Sequence, residues 1–416
     1  MKSLCVRWAV LVCIGVCGCS GNQGQLPSAP SQSLSDGEGH ISSASSLTVT
    51  PGCLHFTGVG TQAEHSLYVT PSVSTLLKAS SSNPKQATIS PASISATAHH
   101  TYAFVVDPLA FGRATLTISS AAGSTNILET ANTPNLYITA NNSILVFPAN
   151  ANGNVAPSRV ISGSKTQLSG PAALANDCNG NIYVANTDDA VTRYPATASG
   201  DVSPTEAFGT FEQPFAIALD SVGHIVVATV HSPEVAVYKA NANGAVTPLY
   251  TLSSNTGAAP VGVAVDDEDQ LHVVYQDLSG ASAVATYSAT TSGKAPVLLS
   301  TIEGTATNLT WTFGLAISRH HYTWVTDQNA PTPGLWVFAP GLSGNVKPTG
   351  TISGSNTRMT SPFAIGFDSY ENPYVVNPGT NSILRFTASQ SGNVAPVGQI
   401  TGPKTQLNGP TGILVY

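Results

Sequence analysis

The stretch of sequence that decides the fold is Gly200-Asp201-Val202-Ser203-Pro204. It is one of six copies of the phrase Gly-x-Val-x-Pro, of which the fourth is shortened to Gly293-Lys294-Ala295-Pro296. The copies end at prolines 157, 204, 248, 296, 348 and 396, so successive copies are 47, 44, 48, 52 and 48 residues apart. A period of this length is typical of solenoids, propellers and other repeat arrays.

Each repeat carries the same four apolar runs, and each run predicts a β-strand. The second repeat is the clearest, with predicted strands at Ile182–Ala185, Ala190–Tyr194, Glu206–Gly209 and Gln213–Asp220. The phrase itself lies between the second and third of these strands. Its glycine permits a tight turn with positive φ, so the phrase marks an outer turn of each repeat.

The repeats resemble the NHL-repeat β-propeller. The resemblance rests on Pro214-Phe215-Ala216-Ile217-Ala218-Leu219-Asp220, on the turn Gly180-Asn181 and on Ile182-Tyr183-Val184-Ala185-Asn186, and it covers residues 135–416. The fourth repeat departs from the pattern, because Ile317 is followed by Ser318-Arg319-His320 and not by Asp. The resemblance implies an all-β fold in which each repeat supplies one blade.

The phase of the repeats predicts how the ring closes. The first repeat begins at Leu136-Tyr137-Ile138-Thr139 with no innermost strand before it, and the last ends with the lone innermost strand Gly412–Tyr416. We therefore expect the C-terminal strand to complete the first blade, which gives a six-bladed β-propeller of four-stranded blades. Closure of this kind leaves no long exposed sheet edge.

Residues 47–131 read as a small β-sandwich, because short alternating runs are separated by turn residues. Phe111-Gly112-Arg113-Ala114-Thr115-Leu116-Thr117-Ile118 resembles the closing strands of bacterial immunoglobulin-like domains. The sequence thus predicts a small Ig-like β-sandwich ahead of the propeller. Residues 20–46 are rich in Ser, Gly and Pro, which is the composition of a flexible linker.

Residues 1–19 have the pattern of a signal peptide. Lys2 and Arg7 precede a short apolar run that ends in Val16-Cys17-Gly18-Cys19, which resembles a bacterial lipobox. The resemblance implies a lipoprotein with lipid attached at Cys19, anchored in the bacterial cell envelope and facing the periplasm or the exterior. The alternative is an ordinary secretory signal with cleavage at a small residue.

Charge and cysteine content limit the classes of partner. The net charge is -7, from 15 basic and 22 acidic residues, and no run of Lys or Arg is present, so we expect no nucleic-acid partner. Outside the signal segment only Cys53 and Cys178 remain. A bridge between them is one alternative in an oxidising compartment. The interpretation we favour is two independent, buried small residues.

The candidate site is the face of the propeller formed by loops that enter the innermost strands and leave the second strands, here called the loop face. Ligands of propellers usually meet this face. It carries scattered polar side chains: Asn186, Asp188, His231, Gln276, Asp277, Asp327 and Asn377. By contrast, the Asp residues that end the innermost strands (Asp220, Asp266 and Asp368) are explained as turn caps, since Asp bonds its own backbone at such turns.

Two functional hypotheses follow. The first is a monomeric, membrane-anchored binding or interaction scaffold that presents the loop face to an unknown protein or glycan, without cofactor or catalytic residue. The alternative is a propeller enzyme of the lyase or lactonase type, with a divalent cation in the central funnel. A metal site needs three or four converging ligands, so the arrangement of the candidate residues discriminates between the two.

Overall fold

The structure is a computed structural model that describes residues 47–121, 123–188, 190–209, 211–232, 234–254, 257–290, 294–328 and 332–416. The expected signal peptide, Cys19 and the whole of the expected linker lie outside these residues. The described chain is all-β, with 33 strands and five 3-10 helices of three residues each: Thr61–Ala63, Thr305–Thr307, Ser355–Thr357, Pro378–Thr380 and Pro403–Thr405. None of the described helices has the length and apolar character that a membrane span requires.

The first nine strands form two sheets that face each other. They are β1 (Leu47–Thr50), β2 (Cys53–Phe56), β3 (His65–Pro71), β4 (Thr75–Ser81), β5 (Ala87–Ser90), β6 (Ser93–Ala96), β7 (Tyr102–Pro108), β8 (Gly112–Ser120) and β9 (Gly123–Ala131). One sheet has the order β1-β3-β7-β5 and the other β2-β9-β8-β4-β6. All pairs are antiparallel except β2 with β9, which is parallel.

Alternating side chains explain why these two sheets pack together. In β8, Ala114, Leu116 and Ile118 are buried while Arg113 is exposed, as the two-residue period of a strand requires. These residues share one core with Leu67 and Phe104 of the opposite sheet. Each fully buried side chain of this size contributes about 1.5–3 kcal/mol relative to exposure. We call this part of the chain the sandwich.

The remaining strands form six four-stranded antiparallel sheets in the described part of residues 135–416. They are numbered by the order of their second strands along the chain. Their strands are β10 (Asn135–Ala140), β11 (Ser143–Pro148), β12 (Arg159–Ser162), β13 (Pro171–Asn176), β14 (Ile182–Asn186), β15 (Val191–Tyr194), β16 (Glu206–Phe208), β17 (Pro214–Leu219), β18 (Ile225–Thr229), β19 (Glu234–Tyr238), β20 (Tyr250–Ser253), β21 (Ala259–Val265), β22 (Gln270–Gln276), β23 (Ser282–Ala289), β24 (Leu298–Ile302), β25 (Thr312–Ile317), β26 (Thr323–Asp327), β27 (Gly334–Phe338), β28 (Gly350–Ser353), β29 (Ile365–Phe367), β30 (Pro373–Asn377), β31 (Ser382–Arg385), β32 (Gly398–Thr401) and β33 (Pro410–Val415).

The order of the sheets is circular. Sheet 1 has the order β33-β10-β11-β12, and sheets 2 to 6 each consist of four consecutive strands, from β13 to β32. The innermost strands β13, β17, β21, β25, β29 and β33 pack side by side, and β33 lies beside β13 as well as β29. Six core clusters each join two neighbouring sheets, and one of them joins sheet 6 to sheet 1. This is the arrangement of a β-propeller.

Sheet 1 is built from both ends of this part of the chain. The C-terminal β33 pairs with β10, with Val415 opposite Leu136 and Ile413 opposite Ile138. Ile138 is completely buried and Ile413 is nearly so, in the core shared with sheet 6. The apolar side chains therefore hold the two ends of the ring together in a defined register.

The repeated phrase joins neighbouring sheets at the outer edge of the ring. Gly200 forms a parallel bridge with Ile161 of sheet 1, and Gly392 forms the same bridge with Ile352 of sheet 5. The residue after the glycine adds a side-chain bond: Oδ1 of Asn393 accepts a hydrogen bond of 2.7 Å from the backbone N of Asn356. Because Gly392 has a φ of 77°, glycine is favoured where this approach occurs.

The sandwich packs on the side of the ring that carries the turns between innermost and second strands, here called the turn face. The backbone N of Thr57 donates to the hydroxyl of Ser369 at 2.6 Å, and the backbone N of Ser369 donates to the hydroxyl of Thr57 at 2.6 Å. The Tyr370 hydroxyl accepts a hydrogen bond from the backbone N of Val59 at 3.1 Å and donates to the carbonyl of Val59 at 3.2 Å. Nη1 of Arg319 donates to the carbonyl of Gln62 at 2.6 Å. The described residues from Leu47 to Tyr416 thus belong to one compact unit.

A disulfide joins the two parts covalently, which corrects the expectation of two independent cysteines. The sulfurs of Cys53 and Cys178 are 2.02 Å apart, and their Cα atoms are 5.7 Å apart. This Cα distance is the usual one for a disulfide. It arises because β2 begins directly over the turn that follows β13, and the sequence of either part alone carries no sign of that contact.

Candidate binding sites

Four of the seven candidate residues on the loop face are buried at the ends of second strands. Oδ1 of Asn186 accepts a hydrogen bond from the backbone N of Ser169 at 3.2 Å, and Asp327 accepts the equivalent bond from Thr310 at 2.6 Å. Asn377 does the same with Thr360 at 3.0 Å. Each partner lies 17 residues earlier, in the loop that enters the same sheet. Gln276 bonds the carbonyl of Thr312 at 3.2 Å.

The other three candidate residues are exposed. Oδ1 of Asp277 accepts hydrogen bonds from the backbone N and hydroxyl of Ser279 at 2.8 and 2.7 Å, and these bonds hold the pKa of the Asp277 carboxyl below its usual value. Asp188 accepts a short hydrogen bond from the hydroxyl of Ser169. His231 is exposed, and its backbone N donates to the carbonyl of Glu212 at 3.4 Å.

The structure does not bring the seven candidate residues together. None of them lines either of the two cavities described below. Within the described ranges, no group of three or more His, Cys, Asp or Glu side chains is placed to hold a metal ion. Asn186, Asp327 and Asn377 instead fix the entry loop of their own sheet, and Gln276 bonds the innermost strand of the next sheet, because an amide or carboxylate at this depth must be hydrogen-bonded.

Three phenylalanines lie together at the loop-face end of the central channel, which has a volume of about 120 Å³. The rings of Phe313 and Phe363 are stacked, with centroids 4.9 Å apart, and Phe215 lies 5.7 Å from Phe363 and 6.3 Å from Phe313. All three are half-buried. The innermost strands approach closely here, since a Cβ at Gly314 would lie 2.5 Å from the carbonyl oxygen of Phe363.

A much larger cavity, of about 550 Å³, lies between the sandwich and the turn face. This volume is in the range of small-molecule binding sites. Its wall on the sandwich side includes His55 and His65, and its wall on the ring side includes the turns that follow the innermost strands. The repeat pattern predicts a site on the opposite face, because nothing in the sequence shows where the sandwich is seated.

The aspartates that end innermost strands cap their turns. Oδ1 of Asp220 accepts hydrogen bonds from the backbone N of Val222 and His224 at 3.2 and 2.7 Å. Asp368 accepts the same pair of bonds, both at 3.0 Å, from Tyr370 and Asn372. Oδ1 of Asp266 accepts the equivalent hydrogen bonds from the backbone N of Glu268 and Gln270. These carboxylates line the cavity, but their Oδ1 atoms are occupied by the turn.

A cluster of titratable groups joins the sandwich to sheets 4 and 5 at one side of the cavity. Nδ1 of His321 lies 3.6 Å from Oδ2 of Asp266, and its Nε2 lies 3.5 Å from Oδ1 of Asp267. The Asp266 carboxylate raises the pKa of His321 to about 9. Burial raises the pKa of Asp267 to about 7 and lowers the pKa of His65, whose Nδ1 is 3.7 Å from Asp267.

The pKa of Asp266 moves in the opposite direction. Burial alone would raise it, but the side-chain hydrogen bonds of His272 and His321 lower the pKa of Asp266 to about 2. His272 Nε2 is 3.0 Å from the Asp266 carboxylate. Two adjacent carboxyls therefore have very different proton affinities, because only Asp266 accepts hydrogen bonds.

Comparisons with known proteins give the fold and no activity. One similar solved structure is a protein of unknown function from Bacteroides caccae, with a TM-score of 0.50 and 10% identity over 68% of this chain and 98% of that one. Another is the RRP9 WD40 repeats, with a TM-score of 0.41 and 15% identity over 55% of this chain and 63% of that one. No protein-family model and no curated protein matches the chain. Similarity at this identity indicates the fold alone.

Proposed function

We propose that the chain is an exported, lipid-anchored binding scaffold: a six-bladed, NHL-type propeller that presents its loop face to a partner. Each four-stranded sheet of the ring is one blade, and residues 47–131 are an Ig-like domain seated on the other face. The scaffold acts as a monomer in the cell envelope and is anchored through Cys19. A propeller-like fold, which commonly serves as an interaction platform, supports the binding role.

One observation carries the proposal: the sandwich occupies the turn face. Among the described residues, the hydrogen bonds, ion pairs and disulfide between sandwich and ring all reach turn-face residues, such as Cys178, Arg319 and Tyr370. The loop face is thereby the side of the ring that remains accessible to a macromolecular partner.

The chemistry of the loop face favours a partner with apolar and cationic groups. Its centre is the half-buried cluster of Phe215, Phe313 and Phe363, and exposed carboxylates of Asp188 and Asp277 lie on the surrounding loops. Aromatic rings contribute much of the binding energy of interfaces, and ring faces also attract cations. We expect a protein partner, and a glycan is the other outcome of the test.

Site-specific photocrosslinking in the native host tests this assignment. p-Benzoylphenylalanine replaces Phe313 in one variant and Phe111 in the control, where Phe111 is 53% exposed on the sandwich. We expect a covalent adduct of defined mass with the first variant and none with the second. An adduct that forms at Phe111 and not at Phe313 would contradict a binding role for the loop face.

The anchor is tested separately by the variant Cys19→Ala. Several buried acyl chains, at about 0.8 kcal/mol per methylene, hold a protein firmly on a membrane. We expect the native chain in the membrane fraction and the variant either uncleaved or released into the soluble fraction. A variant that is still cleaved and fully membrane-bound would contradict lipid attachment at Cys19.

No observation on the described loop face favours the alternative of a metal-dependent lyase or lactonase. The amide and carboxylate groups of Asn186, Asp327 and Asn377 are engaged by backbone N–H groups of their own sheets. A ligand set for a divalent cation would have to break these bonds.

A further inference from the structure

The cavity under the sandwich has an unusual charge composition. Among the described residues, eight Asp and Glu line it, and the only Lys or Arg in this lining is Arg319. The guanidinium of Arg319 is already committed, because Nη1 donates to the carbonyls of Gln62 and Glu64 at 2.6 and 3.0 Å. Acidic groups therefore outnumber basic ones in the described lining, even with His321, which lies beside Asp266 and Asp267.

Two of the carboxylates have ion-pair partners at 3.5 to 3.9 Å but incomplete hydrogen bonding. Asp267 has a side chain that is only 9% exposed, yet neither of its oxygens accepts a hydrogen bond from a described residue. Oε1 of Glu371 also accepts none and lies 3.8 Å from Nε of Arg319. Buried carboxylate oxygens that accept no hydrogen bond are costly, so a ligand that brings N–H donors within hydrogen-bond distance would be favoured here.

The centre of the cavity is apolar. Its lining includes Leu219, Val265, Ile317, Phe367 and Val415, which are the last residues of five innermost strands. These ends meet at the axis of the ring, whereas the acidic turns follow them and lie further out. The cavity thus offers an apolar middle between carboxylates that come from different sheets.

We propose that this cavity binds a linear polyamine. The methylene segments of such a ligand match the apolar strand ends, and its separated ammonium groups match carboxylates from two different sheets, Asp267 on sheet 4 and Glu371 on sheet 6. Ammonium N–H groups supply the donors that both side chains lack. A volume of about 550 Å³ accommodates a molecule of this size.

Binding should depend on pH through Asp267. Burial raises the pKa of Asp267 to about 7, and the groups that face it are His65 and Tyr68 of β3, His321 of the next sheet, and the neighbouring Asp266 and Glu268. A polyamine binds the ionised carboxylate, so its affinity should rise between pH 6 and pH 8 as Asp267 loses its proton.

Calorimetric titration of the full-length chain with spermidine tests the proposal. We expect one site in the native chain, an affinity that falls about tenfold in Asp267→Asn because a hydrogen bond to a charged group is lost, and a similar loss in Glu371→Gln. Glu303→Gln, which removes an exposed carboxylate elsewhere, should bind like the native chain. Triethylene glycol, a neutral chain of similar length, should not bind.

Two results would overturn the proposal. One is a native chain that gives no saturable heat with spermidine. The other is an equal loss in Glu303→Gln and Asp267→Asn, which would mean diffuse attraction to a chain of net charge -7. If Asp267→Asn fails to fold, Glu371→Gln and the rise in affinity of the native chain between pH 6 and pH 8 decide the question.

Discussion

At the scale of single residues, the loop-face amides have a structural role that their position in the repeats does not reveal. Asn377 is completely buried, and its Nδ2 donates to the carbonyl of Arg358 at 3.1 Å and to the hydroxyl of Thr380 at 2.7 Å. Asp277, at the corresponding end of another sheet, is exposed and caps only its own turn. The two residues therefore form a matched pair for mutation.

We expect Asn377→Ala to lower the free energy of unfolding by about 2–3 kcal/mol, because the backbone N–H groups of Thr360 and Ser361 lose their acceptor and the hydrogen bonds of a buried amide are removed. Asp277→Asn should change it by less than about 0.5 kcal/mol, as an exposed substitution. Urea denaturation measures both. Equal, small effects would mean that Asn377 is free for a ligand role after all.

Stability should also depend on pH through His321. Its folded pKa of about 9, raised by Asp266, lies above its unfolded value of 6.5, so its contribution is fully present below pH 6.5 and is lost as pH rises through 9. We expect the difference in unfolding free energy between the native chain and His321→Gln to shrink from pH 6 to pH 9.5. The exposed His231→Gln should leave the profile unchanged, and a difference that grows with pH would contradict the ion cluster.

At the scale of elements, sheet 1 depends on the C-terminal strand. Without β33, strand β10 would be an unpaired inner edge, and the apolar core between sheets 1 and 6 would be open to water. Truncation after Gly409 should therefore abolish the hydrogen-exchange protection of those β10 amides that bond to β33. Val415→Thr, which keeps the backbone pairing, should preserve protection, and a truncated chain with protected β10 amides would show that the ring does not need its last strand.

The sequence predicts these elements well because their signals are local and repeated. The pattern of Pro410–Val415 matches that of other innermost strands, so its pairing with Leu136–Ala140 follows from phase alone. The candidate site was harder to predict. Whether Asn186 or Asp327 faces a ligand or a backbone N–H depends on a loop 17 residues away, and no residue type marks that difference.

At the scale of the whole molecule, the seating of the sandwich determines which surfaces can act. It covers the turn face and encloses the large acidic cavity, and it leaves the loop face with its phenylalanine cluster accessible. The repeat pattern gives no information on this contact, because Cys53 lies in the sandwich, outside the repeats, and Cys178 lies in the ring, 125 residues further along the chain. Closure of such a long loop by a disulfide typically stabilises a fold by about 2–4 kcal/mol.

The most direct test of this arrangement is peptide mapping without reduction, on the full-length chain isolated from its native host. Free thiols are first blocked by alkylation, and the digested peptides are identified by mass spectrometry. We expect the peptides that contain Cys53 and Cys178 to appear as one disulfide-linked species that separates on reduction. Recovery of both residues as alkylated, unlinked peptides would contradict the seating of the sandwich on the turn face.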